Sequence, residues 1–67
     1  MGRTIMRYIL EQRMEVAADL LVYTNLSIQD ICTQIGILDS NYFSRGFKNL
    51  YGQPPTQYRK QRNTTER

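Results

Sequence analysis

The sequence contains no histidine and no tryptophan, one cysteine and two prolines in 67 residues. Without histidine the commonest general base and metal ligand is missing. Cys32 has no partner for an internal disulfide and no acid–base companion to make it a nucleophile. Catalysis, metal binding and a cofactor are therefore not expected. No apolar run approaches the roughly 18 residues that mark a membrane span. The opening "MGRTIMRYIL" lacks the sustained apolar segment and small-residue cleavage site of a secretory leader. A soluble, cytoplasmic protein without a membrane partner is predicted.

Acids are also scarce, and unevenly so. Glu11, Glu15, Asp19, Asp30 and Asp39 fall in the first part of the chain, whereas Arg45, Lys48, Arg59, Lys60 and Arg62 follow with no acid before Glu66. The net charge of +3 is modest, but this segregation makes the second half a candidate polyanion-binding surface. A solvated basic face with no partner is the alternative. With 67 residues there is room for one domain, 1–67, whose folding hides only about 60% of the surface its unfolded chain exposes.

What is present is helical periodicity. From Ile5 to about Tyr23 neither proline nor glycine occurs, and Ile9, Leu10, Arg13, Val16, Ala17, Leu20 and Leu21 recur at spacings of three and four. This predicts a long helix with one buried stripe, its acids Glu11, Glu15 and Asp19 facing water and Arg7 pairing with Glu11 one turn on. Ser27 followed by Asp30 reads as a capping box. A second helix over 28–35 then places Ile28, Ile31, Cys32 and Ile35 on one face, with Cys32 as a core residue, and Gly36 suits the left-handed position that ends it. After Ile37 and Leu38, Asp39 or Ser40 caps a third helix that runs to about Tyr51. Gly52 and the Pro54-Pro55 pair separate it from a fourth, over 56–62, and the polar "NTTER" end is expected to fray. Two short helices around a glycine turn form a helix-turn-helix pattern.

On the third helix Phe43, Phe47 and Leu50 are expected in the core. The opposite side carries Asn41, Ser44, Arg45 and Lys48, with Ser40 at the entrance and Tyr42 on a flank, and no acid interrupts it. These residue types suit the major groove. Arginine can donate two hydrogen bonds to guanine, asparagine pairs with the adenine edge, and serine permits close approach. Lys48 suits a phosphate, and uncharged Gln29, Thr33 and Gln34 of the preceding helix can meet the backbone without repelling it, as can the amides at either helix start. Alternatives stay open: Arg45 paired with Asp30, Asn41 and Ser44 merely solvated, Tyr42 undecided, Tyr58 a packing residue. Gly46, in mid-helix, should cost roughly 1 kcal/mol relative to alanine; it either allows close approach of another backbone or is only tolerated.

The run Arg13, Ala17, Leu20-Leu21, Ser27-Ile28, Ile31, Gly36, Tyr42-Phe43-Ser44-Arg45, Phe47-Lys48, Gly52, Pro55 and Tyr58-Arg59 resembles the C-terminal DNA-binding region of AraC/XylS-family transcriptional regulators. The segment "YFSRGFKNLYGQPPTQYR" is the most specific part, and the resemblance extends from about Gly2 to Arg62. It implies an all-α, homeodomain-like helical bundle from a bacterial transcription factor, in which 5–24 is the linker helix, 27–51 the second helix-turn-helix and 56–62 the closing helix. The first helix-turn-helix of the family would be absent, and the matching intervals Gly2 to Tyr8 and Gly52 to Tyr58 would mark its last remnant.

By the same resemblance, Ser40, Asn41, Tyr42, Ser44 and Arg45 would contact bases of double-stranded DNA in the major groove through a recognition helix over about 40–51. Lys48 would lie towards a phosphate, while Gln29 and Thr33 are expected at phosphate or sugar from their uncharged place on the preceding helix. Cys32 stands where alanine is usual and Ile37 where an aromatic is common; both keep the core apolar. The competing expectation is a protein-interaction or self-association module that uses an uncovered stripe of the long helix. An enzyme would need a site built without histidine.

Overall fold

The computed structural model describes residues 5–65, and the side chains of 5–62 among them. Four helices follow one another: α1 (Ile5–Tyr23), α2 (Ile28–Ile35), α3 (Ser40–Tyr51) and α4 (Pro55–Thr65), with no strand among the described residues. The expected all-α fold is present, α4 continuing three residues past its expected end.

The ends of the helices are set by local chemistry. Ser27 is extended (φ −69°, ψ 162°), and its hydroxyl accepts a hydrogen bond from the Asp30 amide at 3.0 Å, which satisfies one of the unpaired donors at the start of α2. At the start of α3 the cap is Asp39 and not Ser40; its carboxylate accepts from the amides of Asn41 (2.9 Å) and Tyr42 (3.4 Å). Gly36 and Gly52 both adopt φ +82°, the left-handed conformation that strains any residue with a Cβ. Pro55 opens α4 and is buried, while the Pro54 carbonyl accepts from the Tyr58 amide.

All three short helices pack against α1. The core consists of Met14, Ala17, Ala18 and Leu21 of α1, Ile31, Cys32 and Ile35 of α2, Ile37 of the turn, Phe43 and Phe47 of α3, and Tyr58 of α4. The stripe read from the sequence is therefore rotated. Met14 and Ala18 are inside, Leu10 and Leu20 lie at the edge, and Ile9 (41% exposed) and Val16 (51%) are outside. Periodicity ties residues to a common face but does not say on which side of α1 the other helices sit.

A similar rotation affects α3. Leu50 is 39% exposed, and the apolar row continues instead through Tyr51, which stacks on Phe47 with centroids 4.5 Å apart. Tyr58 meets Phe47 edge-on at 5.2 Å and Tyr51 at 5.5 Å, so α4 draws the core toward Tyr51. Tyr58 is thus a packing residue, as expected. Of the glycine–tyrosine echo, Gly2 lies outside the described residues, and Tyr8 is half exposed where Tyr58 is buried.

Gly46 has a structural reason. A Cβ there would lie 3.0 Å from Cε of Met14, which is fully buried, so the missing side chain lets α3 approach α1. Alanine at 46 gains roughly 1 kcal/mol of helix propensity but must displace a methionine end with little room to move. We expect Gly46→Ala to change stability by less than about 0.5 kcal/mol alone, and to stabilise by about 1 kcal/mol in a Met14→Leu background, whose side chain is shorter. Urea unfolding of the four proteins in this cycle measures the coupling; additive effects would show that Met14 does not oppose the alanine.

Candidate nucleic-acid interface

The outer face of α3 is built on the buried pair Phe43 and Phe47, whose centroids are 5.8 Å apart. With these facing the core, Asn41, Arg45 and Lys48, at i, i+4 and i+7, form one exposed row on the far side. Ser40 is exposed at the helix entrance, and Ser44 is half-buried beside the row. Among the described residues the side chains of Asn41, Arg45 and Lys48 make no hydrogen bond or ion pair. The alternative pairing of Arg45 with Asp30 is not formed. Three side chains with hydrogen-bonding ends, two of them cationic, are left to the solvent.

Tyr42 takes a different direction. It is half exposed and lines an open cleft together with Met6, Ile9, Leu10 and Ile37 and the arginines Arg7 and Arg13, so it lies on the α1 side of the helix, off the Asn41–Arg45–Lys48 row. On α2, Gln29 and Thr33 are exposed one turn apart, but the Thr33 hydroxyl donates to the Gln29 carbonyl at 3.1 Å. To donate to a phosphate, Thr33 must give up that bond. The amides at the start of α3 are also engaged, by the Asp39 carboxylate, whose charge disfavours an anion there. At the start of α2 the cap takes only the Asp30 amide, but the Asp30 carboxylate stands in that first turn and likewise disfavours an anion, so neither helix start is a ready phosphate site.

Two arginines position this face. Arg13, which the periodicity had assigned to the α1 stripe, donates from Nη1 to the Ile35 carbonyl at 2.9 Å and so caps the C-terminus of α2. Its guanidinium lies where a Cβ on Gly36 would be only 2.8 Å away, which gives Gly36 a second reason besides its φ. Arg59 had been counted with the basic surface. Instead it donates from Nε to Leu21 O (2.9 Å) and from Nη2 to Thr24 O (3.2 Å) and Leu26 O (2.7 Å). It is a clamp across the α1–α2 loop. Sequence reasoning missed both roles; the one available signal was a lone cation inside an otherwise apolar stripe at Arg13. Of the other basic residues, Arg62 lies over the Tyr58 ring at 5.0 Å.

Burial, with the Asp39 charge adding to it, pushes the Cys32 thiol above its usual value of 9.0, and the side chain is buried in the core. Tyr51 is likewise pushed above its usual 10.0, first by burial and then by Tyr58, Glu15 and Asp19. No group of three or more carboxylate, thiol or imidazole side chains able to hold a metal occurs among the described residues.

Residues 1–61 match the family described as a helix-turn-helix domain, of the AraC type. The chain belongs to that AraC-type helix-turn-helix family. It is 41% identical over 58 residues to the Msm operon regulatory protein of Streptococcus mutans, a match that takes in 87% of this chain and 21% of that protein. The same coverage holds for the transcriptional activator RhaR of Escherichia coli, at 43% identity. Among solved structures, the C-terminal domain of the two-component response regulator yesN from Fusobacterium nucleatum superposes with a TM-score of 0.81 at 43% identity, covering 87% of this chain and 56% of that one. The chain spans about a fifth of the length of the curated relatives it matches. In this chain α2 and α3 pack on each other and on α1, and α4 packs on α1 and α3.

Proposed function

We propose that the chain is the DNA-binding part of a bacterial transcriptional regulator and that it reads double-stranded DNA by placing α3 in a major groove. The observation that carries this reading is the acid-free row Asn41, Arg45 and Lys48, which faces solvent without internal partners. In a helix-turn-helix, the N-terminal residues of the second helix reach base edges and the first helix crosses the backbone. Ser40, Asn41, Ser44 and Arg45 are accordingly assigned to bases, with Arg45 donating two hydrogen bonds to a guanine, and Lys48 to a phosphate. Gln29 and Thr33 meet the backbone from α2. Tyr42, on its flank, is assigned to the edge of the site. The partner is DNA, no reaction is catalysed, and the setting is the cytoplasm. No helix among the described residues is long and apolar enough to cross a membrane.

The test separates the two kinds of contact. Arg45→Ala should flatten the preference among DNA sequences, with a loss of about 1–3 kcal/mol of discrimination. Lys48→Ala should weaken all sequences alike and reduce the slope of log affinity against log salt by about one. Fluorescence-anisotropy titrations of duplexes at several salt concentrations measure both, and an Arg45→Ala protein with unchanged sequence preference would refute the assignment.

A second reading rests on a separate observation. Ile5, Ile9, Val16 and Tyr23 form an exposed apolar row along α1, well away from its buried stripe. We assign this row to contact with another part of a longer DNA-binding region, the family's first helix-turn-helix, or to self-association of the chain. Sedimentation over a range of concentrations decides for self-association if the chain dimerises and shows no salt-dependent DNA binding.

A further inference from the structure

We propose that Leu38, which no reading above assigns, is a specificity-determining residue that recognises the 5-methyl group of a thymine beside the bases read by Ser40 and Asn41. The inference rests on the placement of α3 in the major groove. Leu38 is 90% exposed, the highest value among the exposed large hydrophobic side chains. It is not loosely held. On one side Ile37 is buried and its amide donates to Cys32 O at 3.0 Å; on the other Asp39 is fixed in an extended conformation (φ −92°, ψ 107°) by its two cap bonds.

Leu38 occupies the position before the α3 cap, where an apolar residue often folds back onto the helix's fourth residue as a hydrophobic staple. Here that residue is Phe43, which is fully buried by other groups, and Leu38 stays open to solvent. The turn therefore presents a leucine outward, immediately ahead of the residues assigned to bases. A leucine side chain can donate nothing to a phosphate. In the major groove the apolar feature available to it is the C5-methyl group of thymine.

The experiment uses the full 67-residue chain and duplexes enriched by it from a randomised pool. Each thymine of the preferred sequence is replaced in turn by deoxyuridine, which pairs identically but lacks the methyl group. At one position the wild-type chain should lose about fourfold in affinity, the effect of removing one methyl group from an apolar contact. Leu38→Ala should bind the thymine duplex about that much more weakly and be indifferent to the replacement, while Leu38→Ile keeps the discrimination. Because Leu38 is exposed, the thermal unfolding of Leu38→Ala should match that of the wild type, and this is checked on the same samples. The proposal is overturned if no thymine position responds, if the preferred sequence has no thymine, or if Leu38→Ala retains the response or binds as the wild type does. A pool that yields no preferred sequence at all removes the groove reading itself, and this inference with it.

Discussion

Replacing Phe47 by alanine is expected to cost about 3–5 kcal/mol of stability. Phe47 is fully buried and touches three other rings, Phe43, Tyr51 and Tyr58, so it joins α3 both to the core and to α4. A domain of this size has about 3–10 kcal/mol in total, so the loss is at least about a third of it. Leu50→Ala is the informative contrast. From its spacing Leu50 belongs with Phe43 and Phe47, yet its exposure predicts a cost below about 1 kcal/mol. Urea unfolding followed by circular dichroism measures both, and equal costs would contradict the packing described above. Phe47→Leu should recover roughly half of the loss, since it restores volume without the ring contacts.

Arg59→Ala is expected to destabilise by about 2–4 kcal/mol. Its guanidinium binds three carbonyls at the end of α1 and in the following loop, and α1 has no basic residue of its own in the last turn. Hydrogen bonds from a charged group contribute about 1.5–3 kcal/mol each, but these three share one side chain and are only partly buried, so they do not add. Arg59→Lys should recover less than half. An ammonium can reach one or two carbonyls, whereas the planar guanidinium donates along fixed, separated directions. Urea midpoints of the three proteins test this, and a lysine variant as stable as the wild type would show that charge alone suffices. Where Arg59→Ala remains folded, the salt slope of DNA binding should be unchanged, because Arg59 points at the protein and not at a phosphate.

Much of this molecule can be read directly from the chain. Ser27 with Asp30, Gly36, Asp39, Gly52 and Pro55 delimit the helices because each acts through its own backbone and the nearest turn. The exposed row Asn41, Arg45 and Lys48 is legible for the same kind of reason. Once Phe43 and Phe47 are placed inside, the geometry of one helix fixes what lies opposite them.

Other features depend on where one helix meets another. Spacing alone did not distinguish Ile9 and Val16 from Met14 and Ala18, because the sector of α1 that is covered depends on where α2, α3 and α4 settle. Gly46 has no local explanation, since what requires it is the Met14 methyl group of another helix. Arg59 read as part of a basic surface, because a carbonyl acceptor more than thirty residues away leaves no mark in the sequence. Sequence by itself determined the helices, their caps and the polar face of α3, all of them short-range consequences of backbone geometry. Only the tertiary structure decided which apolar residues are covered, which cations are taken up inside the fold and which remain for a partner, because each is settled by contacts between elements distant in the chain.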